Sequence, residues 1–223
     1  MKKLKLLLIS LLFFNYSFSQ NENIPQIKSE DNQIVFHKNY TLSYNESCEQ
    51  ANWVKYMVTE SQLESNSRRK NNFKSDNLVI TESASTDDYK GSGYDRGHLA
   101  SAKSFSYSQE SVDETFFMSN MSPQEPSFNR GIWKKLENYE RDMAEKMDTV
   151  YVITGGILSG DLKTIGDNEV CVPEEFYKII YNKKYDFIEC FLMKNEKSNE
   201  SIDKFKISLE ALEEVSGFDF MIN

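Results

Sequence analysis

The longest helical period in the chain begins directly after two prolines, and that junction limits the fold more than any other feature. Ile132, Leu136, Tyr139, Met143 and Met147 recur at three- and four-residue steps, so a helix over this stretch presents one apolar face. Pro123 and Pro126 stand just upstream and stop a strand that reaches them, because proline cannot donate to a sheet ladder. The chain therefore turns from extended to helical around Pro126, with Asn129 at or near the helix start.

Elsewhere the apolar runs have strand length. Val54, Tyr56 and Val58 alternate with Trp53, Lys55 and Met57, and residues 78–80 form a second short strand candidate. Residues 112–121, with the run Phe116, Phe117 and Met118, are expected as the strand that the prolines end. Residues 150–154 read as a buried strand closed by Gly155 and Gly156. Residues 176–181 and 185–193 read as a hairpin around Asn182, Lys183 and Lys184. Leu209, Leu212 and Val215 mark a last helix opened by Ser208 and stopped by Gly217. The fold class expected is α+β, a mixed but mainly antiparallel sheet with helices packed on it.

The N-terminus is set apart. Lys2, Lys3 and Lys5 precede an apolar run from Leu6 to Phe14, and the small residues Ser17 and Ser19 flank Phe18. This is the pattern of a secretory signal peptide, and Asn15 interrupts the run before it reaches membrane-spanning length. The organisation expected is a signal peptide over 1–19, a flexible leader over 20–33 and a single domain over 34–223, with no membrane contact after cleavage. The whole chain carries a net charge of -9, and loss of the three leader lysines makes the remainder more acidic still. Such a balance argues against a nucleic-acid coat over the whole surface, although it permits a local basic groove. Arg68, Arg69, Lys70 and Lys74 form the densest basic cluster.

Three cysteines remain after cleavage: Cys48, Cys171 and Cys190. An oxidising compartment permits one bridge, and Cys171 with Cys190 is the expected pair because they flank the predicted hairpin. Three buried thiols are the alternative. His37 lies close to the leader and reads as a surface residue.

The segment Asp95-Arg96-Gly97-His98 holds residue types suited to an anionic ester. Histidine can take a proton from water near neutral pH, and arginine offers phosphate a permanently charged fork. Glycine permits close approach or positive φ. A plain surface turn, with Asp95 paired to Arg96 and His98 packed on Tyr94, would carry the same four residues. Farther on, Asn129, Trp133, Glu137 and Glu140 share roughly one side of the expected helix. On ideal geometry Asn129 and Glu137 stand about 80° apart and about 12 Å along the axis. A cation gripped by Asn129 would reach Glu137 only through water, which suits magnesium. Helical geometry does not choose between Glu137 and Glu140.

The sequence resembles the DNA/RNA non-specific endonucleases, the ββα-metal or His-Me finger enzymes. The likeness lies in "TLSYNE" at 41–46, "WVKYMV" at 53–58, "DDYKGSGYDRGHLASA" at 87–102, "FFMSNMSPQ" at 116–124 and "FNRGIWKKLE" at 128–137. It continues in "VITGGIL" at 152–158, "VPEEFYKII" at 172–180 and "LEALEEVSGFDF" at 209–220. The resemblance implies a ββα-metal motif in which His98 is the general base that activates water. It makes Asn129 the one direct protein ligand of Mg²⁺, which Mn²⁺ can replace, and Glu137 the group that holds water on the metal. It implies phosphate contacts from Arg96, Arg141 and Arg69, with Asp95 and Asn120 as supporting groups.

The implied reaction is hydrolysis of DNA and RNA by a secreted enzyme, giving 5′-phosphate ends. Contacts confined to phosphate imply weak sequence preference and activity that falls with salt. Arg68, Arg69, Lys70, Arg96, Arg130, Lys134 and Arg141 are expected to line a local positive groove. The competing reading is a nucleic-acid-binding or adhesion module on the same fold with chemistry lost. No HExxH zinc motif is present, and a serine or cysteine triad would have to draw on His37 or His98. An inhibitor protein and a second copy of the chain are compatible partners.

Overall fold

The computed structural model describes residues 26–27, 32–64 and 67–222, the first pair as backbone only. The signal peptide expected over 1–19 lies outside the described residues. In chain order the strands are β1 (Asn32–Phe36), β2 (Tyr40–Asn45), β3 (Gln50–Thr59), β4 (Asp95–His98), β5 (Met121–Gln124), β6 (Thr149–Gly156), β7 (Glu175–Asn182), β8 (Phe187–Lys194) and β9 (Lys206–Ile207). The principal helices are α1 (Gln109–Glu114), α2 (Lys134–Met147) and α3 (Leu209–Ser216).

Seven strands form one sheet in the order β9-β8-β7-β6-β3-β2-β1, every neighbour antiparallel. The fold is α+β, as the apolar patterning predicts. In β3, Val54, Tyr56 and Val58 face one core while Trp53 faces the other, so alternation along one strand serves two layers. Helix α2 covers the first face with Leu136, Ala144 and Met147, and Tyr139 and Met143 pack beside them. Helix α3 covers the second through Leu212, which packs with Trp53, Ile153 and Tyr177. Ser208 caps the α3 N-terminus by accepting from the Ala211 N–H, and Gly217 ends the helix at φ 73°. The Phe176-to-Met193 hairpin forms as β7 and β8, with a 3₁₀ turn Lys183–Tyr185 between them.

Several local expectations fail. Residues 78–80 are turn, not strand: Val79 is buried, but Leu78 and Ile80 are exposed. The strand expected over 112–121 is instead the end of α1, an isolated bridge of Phe117 to Lys74 and a 3₁₀ turn Met118–Asn120, with a strand only from Met121. Ser108 caps α1 by accepting from the Ser111 N–H, which commits the segment to helix. Pro123 does not stop β5 but lies inside it, opposite Arg96 in a two-stranded pair where one side of the ladder stays open. Within the segment expected as a leader, Gln26–Ile27 pairs with Phe218–Asp219, and Asn32 and Gln33 begin β1.

The disulfide joins Cys48 to Cys171, not Cys171 to Cys190, and Cys190 is a buried free thiol. The bridge ties the β2–β3 turn to the short strand Val170–Cys171 across 123 residues of sequence. Beside it, Gln50 Nε2 donates to the Cys171 carbonyl at 2.6 Å while Gln50 Oε1 accepts from Ser122 Oγ of β5 at 2.5 Å. Closing so long a loop constrains the unfolded chain, so replacing both bridged cysteines with serine lowers stability by about 2–4 kcal/mol. Urea unfolding shows this as a lower midpoint with a steeper slope, because the unfolded chain without the bridge exposes more surface. An unmoved midpoint means the bridge contributes nothing.

His37 is not a surface residue. It is 5% exposed, its Nε2 lies 2.8 Å from Asp76 Oδ2, and its ring stacks on Phe117. Asp76 also accepts from Ser119 Oγ, so His37 fastens the 73–83 loop to the β1–β2 turn.

Candidate active site

The turn before β4 is built by glycine. Gly91 and Gly93 have φ of 73° and 86°, a region other residues enter at a cost. Ser92 Oγ donates to the Tyr89 carbonyl at 2.8 Å and accepts from the Tyr94 N–H at 3.1 Å. Strand β4 then runs antiparallel to β5, with Asp95 opposite Gln124 and His98 opposite Met121. Gly97 is needed for close approach, though not by a ligand: a Cβ there would meet the Gln124 side chain at 2.1 Å.

His98 is 7% exposed, and its Nε2 has no partner among the protein atoms. Its ring meets Phe116 edge-on at 4.8 Å and lies 5.9 Å from Phe73, so it packs on these rings rather than on Tyr94. Burial, and secondarily the Arg69 charge, push its pKa down to about 3, which leaves a neutral imidazole at physiological pH. Arg96 stacks on Phe73 at 4.4 Å and Arg69 on Phe116 at 5.3 Å. Phe73, which sequence reasoning gave no role, is thus a platform for both histidine and arginine.

Asn120 is fully buried and does not line the cavity. Its side chain bonds both the N–H and the C=O of Ala100 and also the Thr115 carbonyl. It therefore fixes the backbone just past His98 rather than reaching the reacting groups.

The other half of the site comes from the chain after β5. Glu125 Oε2 accepts from the Phe128 N–H at 2.8 Å, and Pro126 opens the turn Pro126–Phe128. Asn129, expected at or near the helix start, is therefore not its N-cap. It begins a π turn, Asn129–Trp133, in which Gly131 departs from helical geometry at φ −105° and ψ −106°. The wider turn breaks the ideal α spacing between Asn129 and Glu137, and such turns recur at functional sites. Asn129 Nδ2 donates to Asp95 Oδ2 at 2.9 Å, which leaves the amide oxygen to act as an acceptor. Asp95 does not pair with Arg96: Arg130 grips it with Nε at 2.8 Å and Nη2 at 2.6 Å.

On α2 the two glutamates separate. Glu140 is fully buried and tied to Lys178 Nζ at 2.8 Å, Tyr56 at 3.0 Å and Ser104 at 2.6 Å. Glu137 has intermediate exposure and lines the cavity. Desolvation pushes its carboxyl up to about 7, against the lowering influence of Lys178. Arg141 lies one turn on, its Nη1 3.3 Å from Ser104 Oγ.

His98, Asn129, Glu137, Asp95, Arg96, Arg69 and Arg141 all line one cavity of about 1080 Å³. Its basic residues are Arg68, Arg69, Arg96, Lys103, Arg130, Lys134 and Arg141, against Asp95 and Glu137 as the acidic ones. A chain of net charge -9 thus carries a locally positive hollow. The expected groove forms without Lys70, and Lys103 takes part instead. Among the described residues no cluster of three or more histidine, cysteine or carboxylate groups could cage a metal. One free amide oxygen beside a carboxylate in a roomy cavity fits a hard cation that keeps most of its waters, as magnesium does. No described helix is long and apolar enough to cross a membrane.

Comparison with known proteins agrees with this arrangement. Human mitochondrial endonuclease G is 33% identical over 208 residues, covering 86% of this chain and 70% of the relative. Mitochondrial endonuclease G of Caenorhabditis elegans is 36% identical over 204 residues, 82% of this chain and 66% of the relative. A nuclease from Nostoc sp. is 32% identical over 219 residues, 89% and 77% of the two chains. Among solved structures, a chain of the EndoG/EndoGI complex, described as revealing the mechanism of EndoG inhibition, superposes with a TM-score of 0.79 at 31% identity, covering 85% of this chain and 86% of that one. The sequence profile of the DNA/RNA non-specific endonucleases matches residues 19–223. Likeness on this scale, joined to a sheet-and-helix frame that brings DRGH and the asparagine of FNRGIW to one cavity, means that the chain belongs to the DNA/RNA non-specific endonuclease family.

Proposed function

We propose that this chain is a secreted endonuclease that hydrolyses phosphodiester bonds of both DNA and RNA, with a single catalytic domain that takes in all of β1, two residues before the expected boundary at 34. One observation carries the reading: a buried histidine whose Nε2 lacks a protein partner stands on the wall of a positive cavity that also holds Asn129 and Glu137. An intact set of this kind argues for retained chemistry over a binding module.

His98, neutral at rest, takes the proton from a water that attacks phosphorus. Negative charge then grows on the non-bridging oxygens, where Arg96, Arg69 and Arg141 oppose it. Asp95 holds the Asn129 amide nitrogen and leaves the amide oxygen as the acceptor that would hold a cation, and Asn120 fixes the backbone behind His98. Asn129, with Glu137 nearby, would hold Mg²⁺ or Mn²⁺, which would supply charge neutralisation to the phosphate. The bond to the 3′ oxygen breaks and the departing oxygen takes a proton from solvent water, giving a 5′-phosphate and a 3′-hydroxyl. None of these groups reads a base edge.

The Cys48–Cys171 bridge supports export to an oxidising compartment. A protein that plugs the cavity is a compatible inhibitor, in keeping with the inhibitor complex of the solved relative.

Digestion of matched plasmid DNA and RNA tests the reading. Both are degraded with Mg²⁺ or Mn²⁺, both survive with chelator, and the rate falls as KCl is raised. The ends formed ligate without added kinase. Retention of intact nucleic acid on the protein with Mg²⁺ present would leave only the binding module.

A further inference from the structure

A smaller cleft of about 270 Å³ opens beside the main cavity, and the two share Asp95 and Arg96 in their walls. The rest of its wall belongs to the turn that delivers β4: Tyr89, Lys90 and Tyr94, with Thr86 and Asp87 at the side. The Ser92 bonds hold Tyr89 and Tyr94 together across the turn. Tyr94 is half-buried, with Lys163 Nζ 5.1 Å from its ring centroid. Tyr89 is 5% exposed, yet its hydroxyl is buried with no partner among the protein atoms. A buried polar group without a partner costs free energy unless something else supplies the bond.

We propose that this cleft is a subsite for the nucleotide next to the scissile phosphate, its base stacked on Tyr94 beside the wall formed by Tyr89. The proposal rests on the nuclease reading above and deepens it. Arg96 belongs to both hollows, so a phosphate at Arg96 has its neighbouring nucleotide directed into the cleft. The volume lies just below the range of about 300–1,000 Å³ typical of small-molecule pockets, so it takes one nucleotide unit and no more. Asp87 repels phosphate from the side of the cleft, while Lys90 and Lys163 mark the course of the next phosphate. Every base has a π face, so a stacking platform gains affinity without dictating sequence.

The test is kcat/KM with Mg²⁺ on single-stranded oligonucleotides of increasing length, from the shortest that wild type cleaves. Tyr94→Ala lowers kcat/KM by roughly 5- to 100-fold on substrates long enough to fill the cleft. It leaves the shortest substrate unchanged, and Tyr94→Phe restores wild-type values. An equal loss at every length would assign Tyr94 to the scaffold and overturn the subsite, as would no loss at any length. A wild type that cleaves no length at all would overturn the nuclease reading, and the subsite with it.

Discussion

His98→Ala lowers kcat/KM on DNA and on RNA by about 100- to 10,000-fold, the range a positioned proton acceptor contributes. The fold survives, because Nε2 has no protein partner and the change breaks no hydrogen bond made by that atom. The pH profile separates this role from a structural one. His98 is pushed down to about 3, so it stays neutral across the working range, whereas burial lifts Glu137 to about 7. The acid limb of kcat/KM therefore belongs to Glu137 and falls at or below pH 7, since a bound cation moves it lower. Residual activity of His98→Ala keeps that limb. Wild-type stability also falls on the acid side, through His98. Between the folded value of about 3 and the unfolded value of about 6.5, the unfolded chain binds the His98 proton and the native chain does not, so wild-type stability falls as pH drops below 6.5. At pH 5 this penalty is about 2 kcal/mol, and His98→Ala is free of it. Activity within a few-fold of wild type would remove His98 from the role of base, and loss of the acid limb in the variant would reassign that limb from Glu137 to His98.

Most of the site was legible because it lies in two short segments, 95–98 and 129–141, whose residue types carry the chemistry locally. The α2 stripe, the β7–β8 hairpin and the capped α3 were legible for the same reason: their periods and caps are written within a few residues. What escaped depends on contacts distant in sequence. Cysteine spacing does not give connectivity, and Cys48 meets Cys171 only because the β2–β3 turn lies against a strand 123 residues away. His37 looks superficial until Asp76, 39 residues on, folds over it. The apolar run at 116–118 fits strand or buried turn equally well, and the Ser108 cap with the packing of Phe116 decides for the turn. Asn129 reads as a helix cap by residue type, yet Glu125 takes that place and frees Asn129 to face Asp95.

Lys178→Met destabilises the protein by about 3–5 kcal/mol, the cost of leaving its buried partner charged and alone. Alternation along β7 sends Phe176, Lys178 and Ile180 to the face under α2, so an ammonium enters the core between two apolar neighbours. It is fully buried there, bonded to Glu140 Oε2 at 2.8 Å and to the Tyr56 hydroxyl at 3.0 Å, with the Trp133 ring 5.1 Å away. Methionine fills similar volume but cannot donate, and Glu140 retains only Tyr56 and Ser104. The double change Lys178→Met with Glu140→Gln removes both charges and recovers more than half of the loss. Thermal unfolding registers the single change as a fall of about 6–20 °C. The pair also bears on the active site, since Lys178 is the foremost charge holding the Glu137 carboxyl down against burial. Without it the Glu137 pKa rises, and the acid limb of kcat/KM moves to higher pH in Lys178→Met. A single variant as stable as wild type, or a double change whose cost equals the sum of its parts, would show that the buried pair does not act as a unit. An unmoved acid limb would sever it from Glu137.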